Sequence, residues 1–340
     1  MLFLPAMARP TRKYGSRRAT TAPLPMPSGA YLVDAHNYIF RAFHGVPNFA
    51  TAAGRPTNAT YGFIRTLLML VREHPPELAA CIFEGPPTRR TALYPAYKQN
   101  RAELPPALGP QFADCRRAAA ALGFTCLESV GYEADDLMGT LAETLAAAGH
   151  RVVLVSGDKD LAQLVNDRIT LYDVARDEAF DAAKVEERFG VPPERIPDLL
   201  ALTGDSIDNI PGVPGIGDKT AVALLQAFGS LPAILAHPER IADLGLRNAR
   251  AVAERIAAAG DQPRLGLELA TIARDAPVEI ETAALAYRGA HRAELEPLCA
   301  ELDFGPRIRA EVPIWADEPS AELALDFGPP SRVPIEDDAG

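Results

Sequence analysis

Three acidic residues constrain this chain more than any other feature, because each stands just past the carboxyl end of a short apolar run. Residues 31–33 read as a buried strand that ends at Asp34. Residues 78–83 (LAACIF) read as a second, followed by Glu84. Residues 151–155 (RVVLV) form a third, running into Ser156, Gly157 and Asp158. Helical patterns separate these runs, over residues 58–73, 112–122 and 133–148. Strands apolar on both faces and alternating with helices imply an α/β fold, a mostly parallel central sheet flanked by helices. One acid at a strand end is usually a turn former or helix cap. Three at one edge point to a site, because open α/β sheets build their sites there.

Further acids gather in the same part of the sequence. Residues 131–136 open a helix with Glu133, Asp135 and Asp136. Acids favour a first helical turn, but three in four residues repel one another more than capping requires. At about 100° per residue, Glu133 and Asp136 share a face and Asp135 does not. Either the turn is irregular, or two ions are bound with one acid in a supporting place. Asp160, Asp205 and Asp208 complete a set of nine: Asp34, Glu84, Glu133, Asp135, Asp136, Asp158, Asp160, Asp205 and Asp208. Without His or Cys partners, these are hard oxygen ligands suited to Mg²⁺ or Mn²⁺. Two such ions about 4 Å apart activate a water and stabilise the leaving oxygen in phosphodiester hydrolysis.

The charge distribution fits this reading. The formal charge is −11, with +5 in residues 1–28 and −6 in residues 315–340, which leaves −10 on the body. The nine acids account for nearly all of that, so the scaffold around them is close to neutral. Ten prolines fall within residues 1–28 and 313–340, and both ends are expected to be disordered, one basic and one acidic. No apolar run is long enough to span a bilayer. Cys81, Cys115, Cys126 and Cys299 lack metal-ligand spacing. They are expected to be reduced thiols in a cytoplasmic protein.

A second constellation follows the acids. Gly212, Val213, Gly215, Ile216, Gly217, Lys219 and Thr220 lie in a glycine-rich turn that opens a helix to Phe228. Such a turn presents backbone N–H groups at a helix N-terminus and suits a phosphate backbone. Its spacing is not that of a nucleotide-binding P-loop.

Together these segments resemble the 5′-nuclease family, which includes the N-terminal 5′-3′ exonuclease domain of bacterial DNA polymerase I and the flap endonucleases. The matching residues are Asp34, Glu84, Arg90, Tyr97, Lys98, Arg101, residues 131–136, 158–160, 203–209 and 212–221, with Phe304 and Gly305 near the end. The resemblance covers residues 30–310. It implies a PIN-like nuclease domain over 29–190, with an arch near 86–106, and a helical subdomain over 191–312 carrying a helix-three-turn-helix. No polymerase domain follows in this sequence, so a stand-alone nuclease is expected, acting as a monomer.

The resemblance implies that Asp34, Glu84, Glu133 and Asp135 serve one metal. Asp135, Asp158, Asp160, Asp205 and Asp208 would serve the second, with Asp136 in support. Arg90, Lys98 and Arg101 would hold the scissile phosphate as catalytic residues. Tyr94 and Tyr97 would stack on bases or pack beneath the loop. The glycine turn would grip duplex DNA and, as in relatives, bind K⁺. Arg41 and Tyr61 are weaker candidates, and His36 and His44 have no partner in this reading. The expected activity is 5′-3′ exonuclease and flap endonuclease on DNA with a 5′ end or flap. One departure stands out: most relatives carry Asp where this chain has Glu84. That leaves a second class open, a branched-DNA binder with a weakened metal site. An RNA-cleaving nuclease of related fold is a third, against which the glycine turn argues.

Overall fold

The computed structural model describes residues 26–85 and 89–316. Most of the expected disordered ends, and residues 86–88 of the expected arch, lie outside these. Among the described residues six strands form one sheet: β1 (Ala30–Asp34), β2 (Leu78–Ile82), β3 (Thr125–Leu127), β4 (Val152–Val155), β5 (Ile169–Asp173) and β6 (Glu178–Phe180). Their spatial order is β3-β2-β1-β4-β5-β6. All neighbours are parallel except β5 and β6. The expected mostly parallel sheet is therefore present. Its three-residue edge strands are too short to leave a periodic signal in the sequence.

Side-chain alternation along β1 shows why this sheet is covered on both faces. Ala30 and Leu32 point into one core, and Tyr31 and Val33 into the other. Helices α1 (Ala35–Gly45), α2 (Asn58–Glu73), a short α3 (Arg89–Leu93) and α4 (Gly109–Ala121) follow in chain order. Of these, α1, α2 and α4 supply Ile39, Phe63, Leu67 and Ala118 to the second core. Helix α5 (Ala134–Ala147) lies on the opposite face against β1, β2 and β4. Its Gly139 is required by close packing, since a Cβ there would meet Ile272 Cγ2 at 2.8 Å and the Ala273 carbonyl oxygen at 2.9 Å.

The remainder is helical: α6 (Ala182–Phe189), α7 (Ile196–Thr203), α8 (Asp218–Phe228), α9 (Leu231–Ala236), α10 (Ala249–Ala258), α11 (Gln262–Ala270), α12 (Arg292–Glu301) and α13 (Pro306–Ala310). Residues 313–316, expected to be disordered, are instead tied down. The Ala290 N–H donates to the Ile314 carbonyl at 2.9 Å, and the Trp315 ring lies 4.2 Å from the Arg292 guanidinium. Among the described residues no helix is long and apolar enough to cross a membrane. All four cysteines are free thiols.

This topology has a switch point. The chain leaves β1 toward β2 and β3 on one side, then returns to β4 on the other. The carboxyl ends of β1 and β4 therefore border a crevice where ligands bind in such sheets.

Candidate active site

Asp34 closes β1 and caps α1, accepting a hydrogen bond from Asn37 N–H at 3.0 Å. Its other oxygen accepts from Ser156 Oγ at 2.8 Å, a link across the switch point from β1 to the residue after β4. Asp158 Oδ1 accepts the Asp160 N–H at 2.9 Å. Burial, reinforced by Asp158, pushes the Asp34 carboxyl up to about 6. Burial also raises Asp135, Asp158 and Asp160; the charge of Asp158 adds to it at Asp135 and Asp160, and those of Asp208 and Asp205 add to it at Asp158. Carboxylates that lift one another's pKa are neighbours that need a counter-charge.

Glu133 resolves the question of the crowded turn. It is the extended N-cap of α5 (φ −80°, ψ 161°), outside the helix proper, and it forms a reciprocal capping box with Asp136. Its carboxylate accepts from Arg90 Nη1 at 3.1 Å, from Tyr97 OH at 2.9 Å and from Lys98 Nζ. Asp136 is fully buried, and both its oxygens are taken, by Arg90, by its own capping bond and by Ala273 N–H at 2.8 Å. The expectation that Asp136 stands in the metal set is corrected: it anchors an arginine.

Arg90 also departs from expectation. It is 6% exposed, and its five N–H donors are used, on Glu133, Asp136 and the carbonyls of Leu269 and Thr271. No donor is left to hold a phosphate. Arg90 instead fastens α3 to the start of α5 and the end of α11. Tyr97 is likewise buried, with its hydroxyl on Glu133 and 3.3 Å from Asp208, so it packs rather than stacks on bases. Tyr94 packs against the core.

Lys98 and Arg101 do face the acids. Lys98 takes a left-handed backbone (φ 56°) and donates its N–H to the Asp208 carbonyl at 3.0 Å. Arg101 Nη2 reaches Asp208 Oδ1 at 2.6 Å and its side chain is half exposed. Asn100 and Asn209 complete the docking, through the carbonyls of Ser206 and Ala96 at 2.6 Å each. The segment expected to form a loop is thus a short helix and a turn seated on residues 206–209. On the other side, Lys159 donates to Asp205. Burial raises that acid, but the lysine and two backbone N–H groups outweigh it and hold the carboxyl low.

The donor set fits a hard divalent cation in chemistry. Asp160 Oδ1 is buried without a hydrogen-bond partner, its nearest cation being Lys159 Nζ at 3.8 Å. Among the described residues no three of these carboxylates converge on one point as a finished cage. Lys98 and Lys159 occupy Glu133 and Asp205 instead, acting as internal counter-charges.

Glu84 lies two residues beyond β2, and one oxygen accepts from Ala134 N–H, at the start of α5, at 3.3 Å. Burial drives its carboxyl up to about 7. Its own N–H donates to His36 Nδ1 at 3.0 Å. His36 therefore has a partner that the sequence did not disclose. Burial, and then the charges of Arg101 and Lys98, lower its imidazole to about 4, which keeps the ring neutral and able to accept. Arg41 pairs with Asp173 at 3.2 Å, Tyr61 sits edge-on to Phe49 and Phe304, and His44 meets Phe43.

The glycine turn connects α7 to α8. Gly212 is forced, since a Cβ there would lie 2.3 Å from both Gly204 N and Thr203 C. Gly215 takes a positive φ of 78°, and Gly217 is the N-cap of α8. Val213 and Ile216 are buried anchors, so their expected contact with DNA is not a side-chain contact. Lys219 is exposed, and Thr220 N–H turns back to the Gly217 carbonyl at 3.0 Å. The carbonyls of Gly212, Val213 and Gly215 already accept from Gln262, Ile216 and Arg255, so the expected K⁺ would have to share them.

An acid-lined crevice at a switch point, bordered by a basic segment and a helical turn suited to phosphates, defines a class of divalent-ion sites that work on polyanions. The comparisons narrow the class. Residues 29–190 match the 5′-3′ exonuclease N-terminal resolvase-like domain, and residues 191–293 match the 5′-3′ exonuclease C-terminal SAM fold. The chain belongs to the 5′-3′ exonuclease family. It is 39% identical over 211 residues to the 5′-3′ exonuclease of Aquifex aeolicus, covering 62% of this chain and 73% of that one. It is 40% identical over 311 residues to DNA polymerase I of Pseudomonas aeruginosa, covering 87% of this chain and 34% of the polymerase. This chain thus spans about a third of that relative's length. In fold it is similar to zinc-bound T5 5′-exonuclease, with TM-score 0.60, 22% identity, and 80% and 97% of the two chains covered. It is also similar to the catalytic core of Rad2 in complex with DNA substrate, with TM-score 0.59, 14% identity, and 84% and 91% covered.

Proposed function

We propose that the protein is a 5′-3′ exonuclease and 5′-flap endonuclease that hydrolyses DNA phosphodiesters in replication or repair. The observation that carries this reading is the gathering of Asp34, Asp135, Asp158 and Asp160 at the switch point, each with a raised pKa. Asp34, Glu84, Glu133 and Asp135 would hold one Mg²⁺ or Mn²⁺ ion, and Asp135, Asp158, Asp160, Asp205 and Asp208 the other. When bound, such ions supply water activation and charge neutralisation at the leaving oxygen.

The protein's own residues do the rest. Lys98 and Arg101 border the crevice and are free to turn from Glu133 and Asp208 to a phosphate once cations neutralise those acids. The buried Arg90–Asp136 pair fixes the start of α5, from which Glu133 and Asp135 project. The turn at 212–217 and Lys219 hold duplex backbone away from the chemistry, a contact that weakens with salt. A second reading, a branched-DNA binder without catalysis, is favoured by Glu84, whose extra methylene displaces a carboxylate by more than an ångström.

Cleavage of a 5′-labelled flap duplex in Mg²⁺, Mn²⁺ or EDTA separates the two. Short 5′ products that need the metal support the nuclease. Tight binding by folded protein without cleavage in either metal would overturn it in favour of the binder.

A further inference from the structure

Glu84 and His36 are carried by adjacent strand ends. β1 and β2 pair in register, with Asp34 opposite Ile82. Two residues past Asp34, His36 reaches sideways and accepts the N–H of Glu84, two residues past Ile82, at 3.0 Å. The imidazole has no freedom to swing away. It stacks on Phe112 (centroids 4.6 Å apart, 26° between planes) and meets Phe83 edge-on at 6.2 Å and Phe40 at 6.5 Å.

From this geometry we infer that His36 is a positioning residue for Glu84, setting where its carboxylate meets a divalent ion. The inference rests on the reading of Glu84 as a metal ligand. An acid with one methylene more than Asp has one more torsion to fix, and its placement depends on how firmly its backbone is held. On the β1 side the His36 bond takes over where the ladder ends at Ile82. On the β3 side the Phe83 N–H still donates to the Leu127 carbonyl at 2.7 Å, and the Ala134 N–H orients the far end of the side chain. Two groups that are not ligands, a ring nitrogen and a helix-start amide, thus fix the backbone and the carboxylate of one acid. Partners that orient a ligand in this way typically change metal affinity about 10- to 100-fold when removed.

The test is Mn²⁺ titration of the whole chain without DNA, followed by the electron paramagnetic resonance of free Mn²⁺. His36→Phe keeps the ring and loses the acceptor, and it is expected to weaken Mn²⁺ binding about tenfold. His36→Asn loses the ring but keeps an acceptor at the same position, and it is expected to bind more tightly than His36→Phe. Equal affinities in parent and His36→Phe, or weaker binding by His36→Asn than by His36→Phe, would overturn the inference in favour of ring packing. If His36→Phe folds poorly, His36→Asn against His36→Leu makes the same comparison, and equal affinities there overturn it. Glu84→Gln separates the two levels. Unchanged binding by Glu84→Gln overturns the ligand reading and this inference together. Weakened binding by Glu84→Gln with an unchanged His36→Phe overturns positioning alone.

Discussion

Arg90 grips Asp136 through two parallel hydrogen bonds, Nη1 to Oδ2 at 2.7 Å and Nη2 to Oδ1 at 2.8 Å, around a carboxylate that is fully buried. The pair is separated by 46 residues of sequence and joins α3 to the first turn of α5. With Leu269 and Thr271 as further acceptors, it also fastens the end of α11. The acid-bearing start of α5 is thereby held from three directions by one guanidinium.

Arg90→Lys is therefore expected to destabilise the fold. A lysine offers a point charge where five directed donors are in use, and it leaves Asp136 buried with too few partners. The expected loss is about 3–5 kcal/mol in urea unfolding, without DNA or metal present. A residue whose role is to touch a phosphate would leave that stability unchanged.

Lys98 is expected to act on rate. Its side chain is mostly buried, yet it pairs with Glu133 at the edge of the acid cluster. Lys98→Ala is expected to lower single-turnover cleavage of a flap duplex by about 100-fold, as the loss of one preorganised cation at a developing charge does. Unchanged cleavage would remove Lys98 from the machinery.

Stability without metal is expected to depend on pH through Asp34 and Glu84. Their folded values, about 6 and about 7, lie above those of free carboxyls. The folded state therefore keeps protons that the unfolded chain has released. Their burial costs nothing below about pH 4, grows as pH rises, and levels off above about pH 7, reaching a few kcal/mol. Urea unfolding in EDTA is expected to show this falling component between pH 4 and 7. Asp34→Asn with Glu84→Gln is expected to flatten it, leaving the part carried by the raised Asp135, Asp158 and Asp160, and a double variant with the parent's slope would contradict the assignment.

The acids at the strand ends were legible in the sequence because each follows a run whose burial is written in its own residues. Asp34, Glu84 and Asp158 announce themselves in that way. The role of Arg90 was not legible, since its acceptors at Leu269 and Thr271 are brought to it only by the packing of α11. His36 was missed for a similar reason: its partner is the backbone N–H of Glu84, just past the neighbouring strand, and an N–H carries no sequence signal. Helix α1 did have a signal, an Asp34 cap followed by apolar residues at helical spacing, but Asp34 read first as a site residue. It is both.

The glycine turn should respond in two distinct ways. Gly212→Ala places a Cβ against the backbone of residues 203 and 204, so both fold and DNA binding are expected to suffer. Lys219→Ala should leave the fold intact, weaken DNA binding about equally across sequences, and reduce the salt slope of binding by about 1. Filter binding at several salt concentrations distinguishes them, and an unchanged slope for Lys219→Ala would exclude a phosphate contact there.

The most direct measurement compares cleavage of a labelled 5′-flap duplex by the parent with that by Asp135→Asn combined with Asp158→Asn, both in Mg²⁺. These two acids, which repel one another in the buried crevice, are the core of the proposed ion site. The account predicts metal-dependent release of 5′ products by the parent and none by the variant, with DNA binding retained by both. Full cleavage by the folded variant would contradict it.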